Sequence, residues 1–210
     1  MTDTDTGQIE ALTDLAAASL TLWDVPMDAT ARLINLSENA TYIVESPSGH
    51  RSVLRLHREG YHSRRAIECE IAWMAALDRE GGVETARPIP GRDGAVIQES
   101  GSSRLAPRRM VMFEFLAGEE PDPDQDLNGP FRQLGALAAR THLHSMSWAR
   151  PEPFESWSGM TKWCLGRGPI GVTGVTRPVW TATVKKFSPL PRRWCAHALP
   201  PMVAVKTGMG

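Results

Sequence analysis

The chain has 210 residues, is 41% hydrophobic and 22% charged, and carries a formal net charge of −1. That composition is the one of a folded protein and excludes wholesale disorder. No apolar run reaches the roughly eighteen residues of a membrane span, and the acidic start MTDTDTGQIE lacks the basic-then-apolar pattern of a secretory signal, so a cytoplasmic protein with no membrane partner is expected. Cys69, Cys164 and Cys195 lie far apart, which gives neither a disulfide framework nor zinc-ligand spacing.

The average conceals a break. Residues 1–155 hold all 24 Asp and Glu and 15 arginines, a net of −9; residues 156–210 hold no Asp or Glu and eight Lys and Arg, a net of +8. All four lysines lie in that second stretch, as do four of the seven tryptophans. The two regions are therefore read separately.

In residues 8–22, Ile9, Leu12, Leu15, Ala16 and Leu20 recur at helical spacing. Asp5 or Thr6 is expected to cap this helix and Pro26 to close it. Short β-type runs follow at Ala31–Leu36, Thr41–Glu45 and Ser52–His57, with Ser37-Glu38-Asn39 and Pro47-Ser48-Gly49 as the links. Alternation puts Val53, Arg55 and His57 on one face of the third run, Leu54 and Leu56 on the other. Ser63 is the expected N-cap of a helix reaching Asp78, with Ile67, Ile71, Met74 and Ala75 as its apolar stripe. Glu70 sits at the edge of that stripe and faces inward; Glu68 lies about 200° round the helix and faces away. Pro88 and Pro90 break the chain before two further strands, Ala95–Glu99 and Arg109–Phe115. An acidic, proline-rich linker (EEPDPDQD) follows, then a helix opened by Pro130 and ending near Trp148. One helix, three strands, a helix, two strands and a helix make an α+β arrangement: a five-stranded antiparallel sheet with one inserted helix. His142 and His144, two residues apart on a helix, face different ways and form no metal site.

This order of elements, with its residues, resembles the small lobe of the protein kinase-like fold. More narrowly, it is similar to the superfamily of aminoglycoside phosphotransferases, choline kinases and type II homoserine kinases, over roughly residues 20–150. The resemblance implies an ATP-dependent phosphotransferase acting on a small hydroxyl compound. It assigns Ser37, Glu38, Asn39, Ala40 and Thr41 to the loop that covers the ATP phosphates. It assigns the strand cation that holds them to Arg55, in Val53-Leu54-Arg55-Leu56, and the helix acid that orients this cation to Glu70. The backbone of Glu114, Phe115 and Leu116 would hold adenine. The segment Leu134-Gly135-Ala136-Leu137-Ala138-Ala139-Arg140-Thr141-His142 is similar to the family's LG-x-x-x-A-x-L-H. The family more often has lysine where Arg55 stands; arginine keeps the charge but offers a planar fork in place of a point charge. The chemistry explains the parts: phosphoryl transfer needs a positioned, neutralised triphosphate more than covalent help from the protein.

The same family places its chemistry on a large lobe, in a catalytic loop H-x-D-x-x-x-x-N followed by an Asp that holds magnesium. Neither motif is present, so no residue of the chain is assigned to catalysis or to a metal. A magnesium–ATP site lacks its oxygen ligands here, and the substrate hydroxyl lacks a general base. The tail offers a reason. Read back into codons and shifted by one base, Gly168–Trp180 (GPIGVTGVTRPVW) permits PHWGDWRDAPGLD, and Leu199–Met209 (LPPMVAVKTGM) permits PPYGRGQDRYG. Both resemble large-lobe segments of the family: W-x-x-W-x-D-A-P-G-L, and the YGRG-x-DR-x-G directly before the catalytic loop. A change of reading frame between about residues 154 and 162 is the expectation. The division expected is an N-terminal helix (1–27), a kinase-like lobe with its hinge (28–118), a linker and first large-lobe helix (119–155), and a basic, disordered tail (156–210). Basic residues scattered among Gly and Pro form no helical face, which argues against nucleic acid as a partner. The chain is thus expected to be an inactive part of a kinase, or alternatively a module that binds nucleotide or a partner without turnover.

Overall fold

The computed structural model describes residues 3–118, 122 and 124–155. The expectation of a disordered tail and the frame-shifted segments lie outside the described residues. Strands β1 (Thr30–Leu36), β2 (Asn39–Glu45), β3 (Arg51–His57), β4 (Pro88–Ile89), β5 (Gln98–Ser100) and β6 (Arg108–Glu114) form one sheet. Its order is β1-β2-β3-β6-β4, with β5 also pairing β6, and every pairing is antiparallel. Helices α1 (Asp3–Ser19) and α2 (Arg64–Ala76) cover opposite faces of the sheet, and α3 (Asn128–Ser147) follows the linker.

The period-2 pattern is what divides the core. From β3, Leu54 and Leu56 join Tyr42, Val44, Met110 and Met112 under Leu12, Leu15, Ala16, Leu20 and Trp23 of the α1 side. Val53 points the other way, with Val111 and Phe113, onto Ile67, Ile71 and Met74 of α2. The face of β3 opposite α1 therefore belongs to α2, and it carries Arg55 and His57.

Three expectations need correction. The first helix starts at Asp3, so Asp5 and Thr6 lie inside it and do not cap it; the alanine-rich run propagates well in both directions from its apolar stripe. Pro88 does not break the sheet: Pro88–Ile89 is a sixth strand, pairing Phe113 and Met112 at the sheet's edge, where a residue with no N–H is tolerated. The strand expected at Ala95–Glu99 is Gln98–Ser100 instead, because Ala95 is held in a turn by Gly91 N–H and by the Asp93 carboxylate.

Ser63 caps α2 as the sequence predicts, its Oγ accepting from Ala66 N at 2.9 Å. The helix runs on into one wide turn, Leu77–Gly81, and stops at Gly82, whose φ of 59° suits glycine. The end of α3 docks on this region: Trp73 Nε1 donates to Ser145 Oγ at 3.2 Å, and His144 Nε2 stands 3.4 Å from Glu80 Oε2. The chain after α3 then returns along α2, where Arg65 Nε donates to Pro153 O at 2.7 Å and Ser63 Oγ bonds Glu155. No helix among the described residues is long and apolar enough to cross a membrane.

Candidate nucleotide-binding site

The α2 face of the sheet carries two polar rows beside its apolar one. In the first row Thr41 of β2 pairs Arg55 of β3, which pairs Val111 of β6. Arg55 is 8% exposed, and its Nη1 donates to Glu70 Oε1 at 3.0 Å. Its Cζ lies 5.0 Å from the centre of the Phe113 ring. Glu70 reaches it because it is three residues past Ile67 and four before Met74, both buried against the sheet. Glu68 pairs outward with Arg64 at 3.3 Å and Arg65 at 3.4 Å. A guanidinium held this way on a strand is a rigid cation, aimed by its carboxylate partner.

The second row was not singled out as a site by the sequence, although the alternation of β3 had put His57 beside Arg55. Asn39 pairs His57, Arg109 follows on β6 one step beyond the Leu56–Met110 pair, and Glu99 of β5 pairs Arg109. Arg109 Nη1 donates to the carbonyl of His62 at 2.9 Å, and its Nε lies 3.8 Å from Glu99 Oε2. The His62 ring stands edge-on to His57 at 5.4 Å and to Tyr61 at 4.8 Å. His57 is 3% exposed, and neither of its ring nitrogens has a hydrogen-bond partner among the described residues. Burial, with the positive charges of Arg55, His62 and Arg109 added, brings its pKa down to about 2, so it is neutral at any ordinary pH. Burial and Arg55 also lower His62, while Glu70 and Glu38 oppose that shift.

The expected phosphate-covering loop is shorter than Ser37–Thr41. Only Ser37 and Glu38 form the turn between β1 and β2, with Ser37 N–H donating to Asn39 O at 3.1 Å. Asn39, Ala40 and Thr41 belong to β2; Ala40 is buried in the α1-side core, away from Arg55, whereas Thr41 shares the Arg55 row. At the hinge, the Glu114 N–H donates to Arg87 O at 2.8 Å, which commits that donor and leaves the residue's carbonyl as a separate acceptor. Arg51 covers the Phe115 ring at 3.8 Å from its centroid and is itself held by Glu45 at 3.1 Å. Leu116 packs on the α2-side core.

Arg55 and Arg109 put two guanidiniums on the α2 face near the two-residue turn, each beside a carboxylate, Glu70 and Glu99, with the neutral His57 on the same face. Among the described residues, however, no three His, Cys, Asp or Glu gather where they could hold a metal ion.

The family model described as phosphotransferase enzyme family matches residues 30–183. The chain belongs to this phosphotransferase family. Among solved structures it is similar to the microcompartment-associated aminopropanol kinase, with 41% identity and a TM-score of 0.60, over 72% of this chain and 46% of that one. It is also similar in fold to amicoumacin kinase in complex with AMP-PNP, Ca2+ and Ami, with 21% identity and a TM-score of 0.55, over 73% of this chain and 45% of the other. The chain thus spans less than half the length of either kinase. No curated protein matches it. The phosphotransferase family and the kinase-like α+β fold expected from the sequence agree with these findings.

Proposed function

We propose that residues 3–155 are the nucleotide-binding half of an ATP-dependent kinase for a small hydroxyl compound, and that the 210-residue chain holds nucleotide without transferring phosphate. The observation that carries this reading is the Arg55–Glu70 pair at 3.0 Å on the inner face of β3 and α2. Arg55 holds the phosphates and Glu70 aims it. Ser37 and Glu38 cover the phosphates at the turn, with Asn39 and Thr41 behind them on β2. Glu114, Phe115 and Leu116 hold adenine through their backbone, with the Glu114 N–H already given to Arg87 O. The nucleotide complex of the amicoumacin kinase, a relative in fold, supports ATP as the cofactor.

Composition supports the reading that these 210 residues alone do not turn over. In-line transfer to an alcohol needs a base for its proton and a cation to neutralise the phosphates. No carboxylate occurs after Glu155 to serve either need. The missing acids reappear when the tail is shifted by one base, so we further propose that the gene's other frame encodes the large lobe. The family match runs on to residue 183, across the proposed change of frame, which makes the register a question for DNA. The test is to resequence the gene from codon 150 past codon 210 and to assay the purified 210-residue chain with ATP and a panel of amino alcohols. A one-base discrepancy and no transfer above the no-protein control are expected. Phosphoryl transfer by the chain as written would overturn the proposal of an inactive half. The alternative reading, a module that binds a partner and no nucleotide, requires that ATP and ADP fail to bind.

A further inference from the structure

Behind Arg55 on the same face of the sheet runs the second polar row, with His57 on β3 and Arg109 on β6. His62 sits at the mouth of that row, half-buried in the link between β3 and α2. Its ring lies against His57, which shares the inner face of β3 with Arg55, and the charges of Arg55, of Glu70 on α2 and of Glu38 in the β1–β2 turn act on it. Those are the cation, the orienting acid and the covering turn of the nucleotide reading. Its backbone is pinned by Arg109 on β6, and its ring rests edge-on against His57 and Tyr61.

We propose that His62 is a phosphate-binding residue of the nucleotide site, contacting the same polyphosphate as Arg55 and taking up a proton from solvent when the anion binds. This inference rests on the nucleotide reading and extends it to a residue that no motif marks.

The geometry explains why His62 and not His57 plays this part. His57 is sealed beneath, next to Arg55 and Arg109, and both its nitrogens lack partners among the described residues. A cation there would be buried among cations, so His57 stays neutral and serves as the floor. His62 has solvent on one side and two carboxylates nearby. In the absence of an anion, burial and Arg55 hold it below the usual histidine range. A phosphate dianion beside it reverses that balance, because an opposite charge within a few ångströms favours the protonated ring. Binding and protonation are then linked, and nucleotide affinity must rise as the pH falls through the range between the two pKa values.

The test uses the full chain, labelled for NMR, with ADP and no divalent cation. The ring C2–H resonance of His62, identified by backbone-to-ring correlation, is titrated with and without saturating ADP. Its midpoint is expected to rise by about one pH unit or more on adding ADP. Wild type and His62→Gln are then compared for ADP affinity at pH 7.5 and pH 6. ADP's own titration is common to both proteins, so it cancels in their ratio. The wild-type advantage is expected to grow about threefold or more at the lower pH. If ADP binds but the His62 midpoint stays in place and the ratio is constant, the His62 proposal is overturned while the nucleotide reading stands. If ADP binds at neither pH, both fall.

Discussion

Arg55 and His57 stand two residues apart on one strand and show what a single face can impose. Arg55 is met by the Glu70 carboxylate at 3.0 Å. His57 gives its charge up because burial and the neighbouring cations all act in one direction. The consequence for stability has a definite sign. With a pKa of about 2 in the fold against 6.5 when exposed, His57 leaves the unfolded chain binding more protons throughout that window. Stability is complete above pH 6.5 and declines as the pH falls toward 2. The loss should be about 1.4 kcal/mol between pH 7.5 and pH 5.5, where ordinary carboxylates scarcely titrate. Urea unfolding across that range checks it, and His57→Phe should flatten the slope. The alternation of β3 made this pairing of Arg55 with His57 legible in the sequence. The link to His62 and Arg109 was not, because it depends on β6 and on the β3–α2 link, more than four residues away along the chain.

At the scale of elements, the local signals held where the chemistry of a single residue decides. Ser63 reads as a cap and is one; Glu70 reads as inward and faces Arg55. The signals that failed depend on context. Proline before a strand looks like a breaker until an edge position accepts it, and Ala40 looks like loop until β2 begins at Asn39. Ser63 also bonds Glu155, so one hydroxyl ties the start of α2 to the chain beyond α3. Ser63→Ala should cost about 1–2 kcal/mol in denaturant unfolding, more than an isolated exposed cap. Ser63→Asp should restore the Ala66 bond while repelling Glu155, and so recover only part of that loss. Equal stability of Ser63→Ala and wild type would show that neither bond matters in solution.

At the scale of the whole molecule, the described residues comprise a lobe with a core on each face of its sheet and a helix, α3, that joins neither core. Two clusters, one on each face of the sheet, bury the apolar faces of α1 and α2. On α3, by contrast, Phe131, Leu143 and Met146 are exposed, and Ser145 is the one buried residue. The lobe holds both a core and the Arg55 cation, so nucleotide binding is tested there. The most direct measurement is calorimetric titration of the 210-residue chain with ADP, repeated on Arg55→Ala. Saturable binding is expected, weakening about tenfold to a hundredfold in the variant through the loss of charge-assisted bonds to phosphate. Absence of binding, or equal affinity in the two proteins, would contradict it.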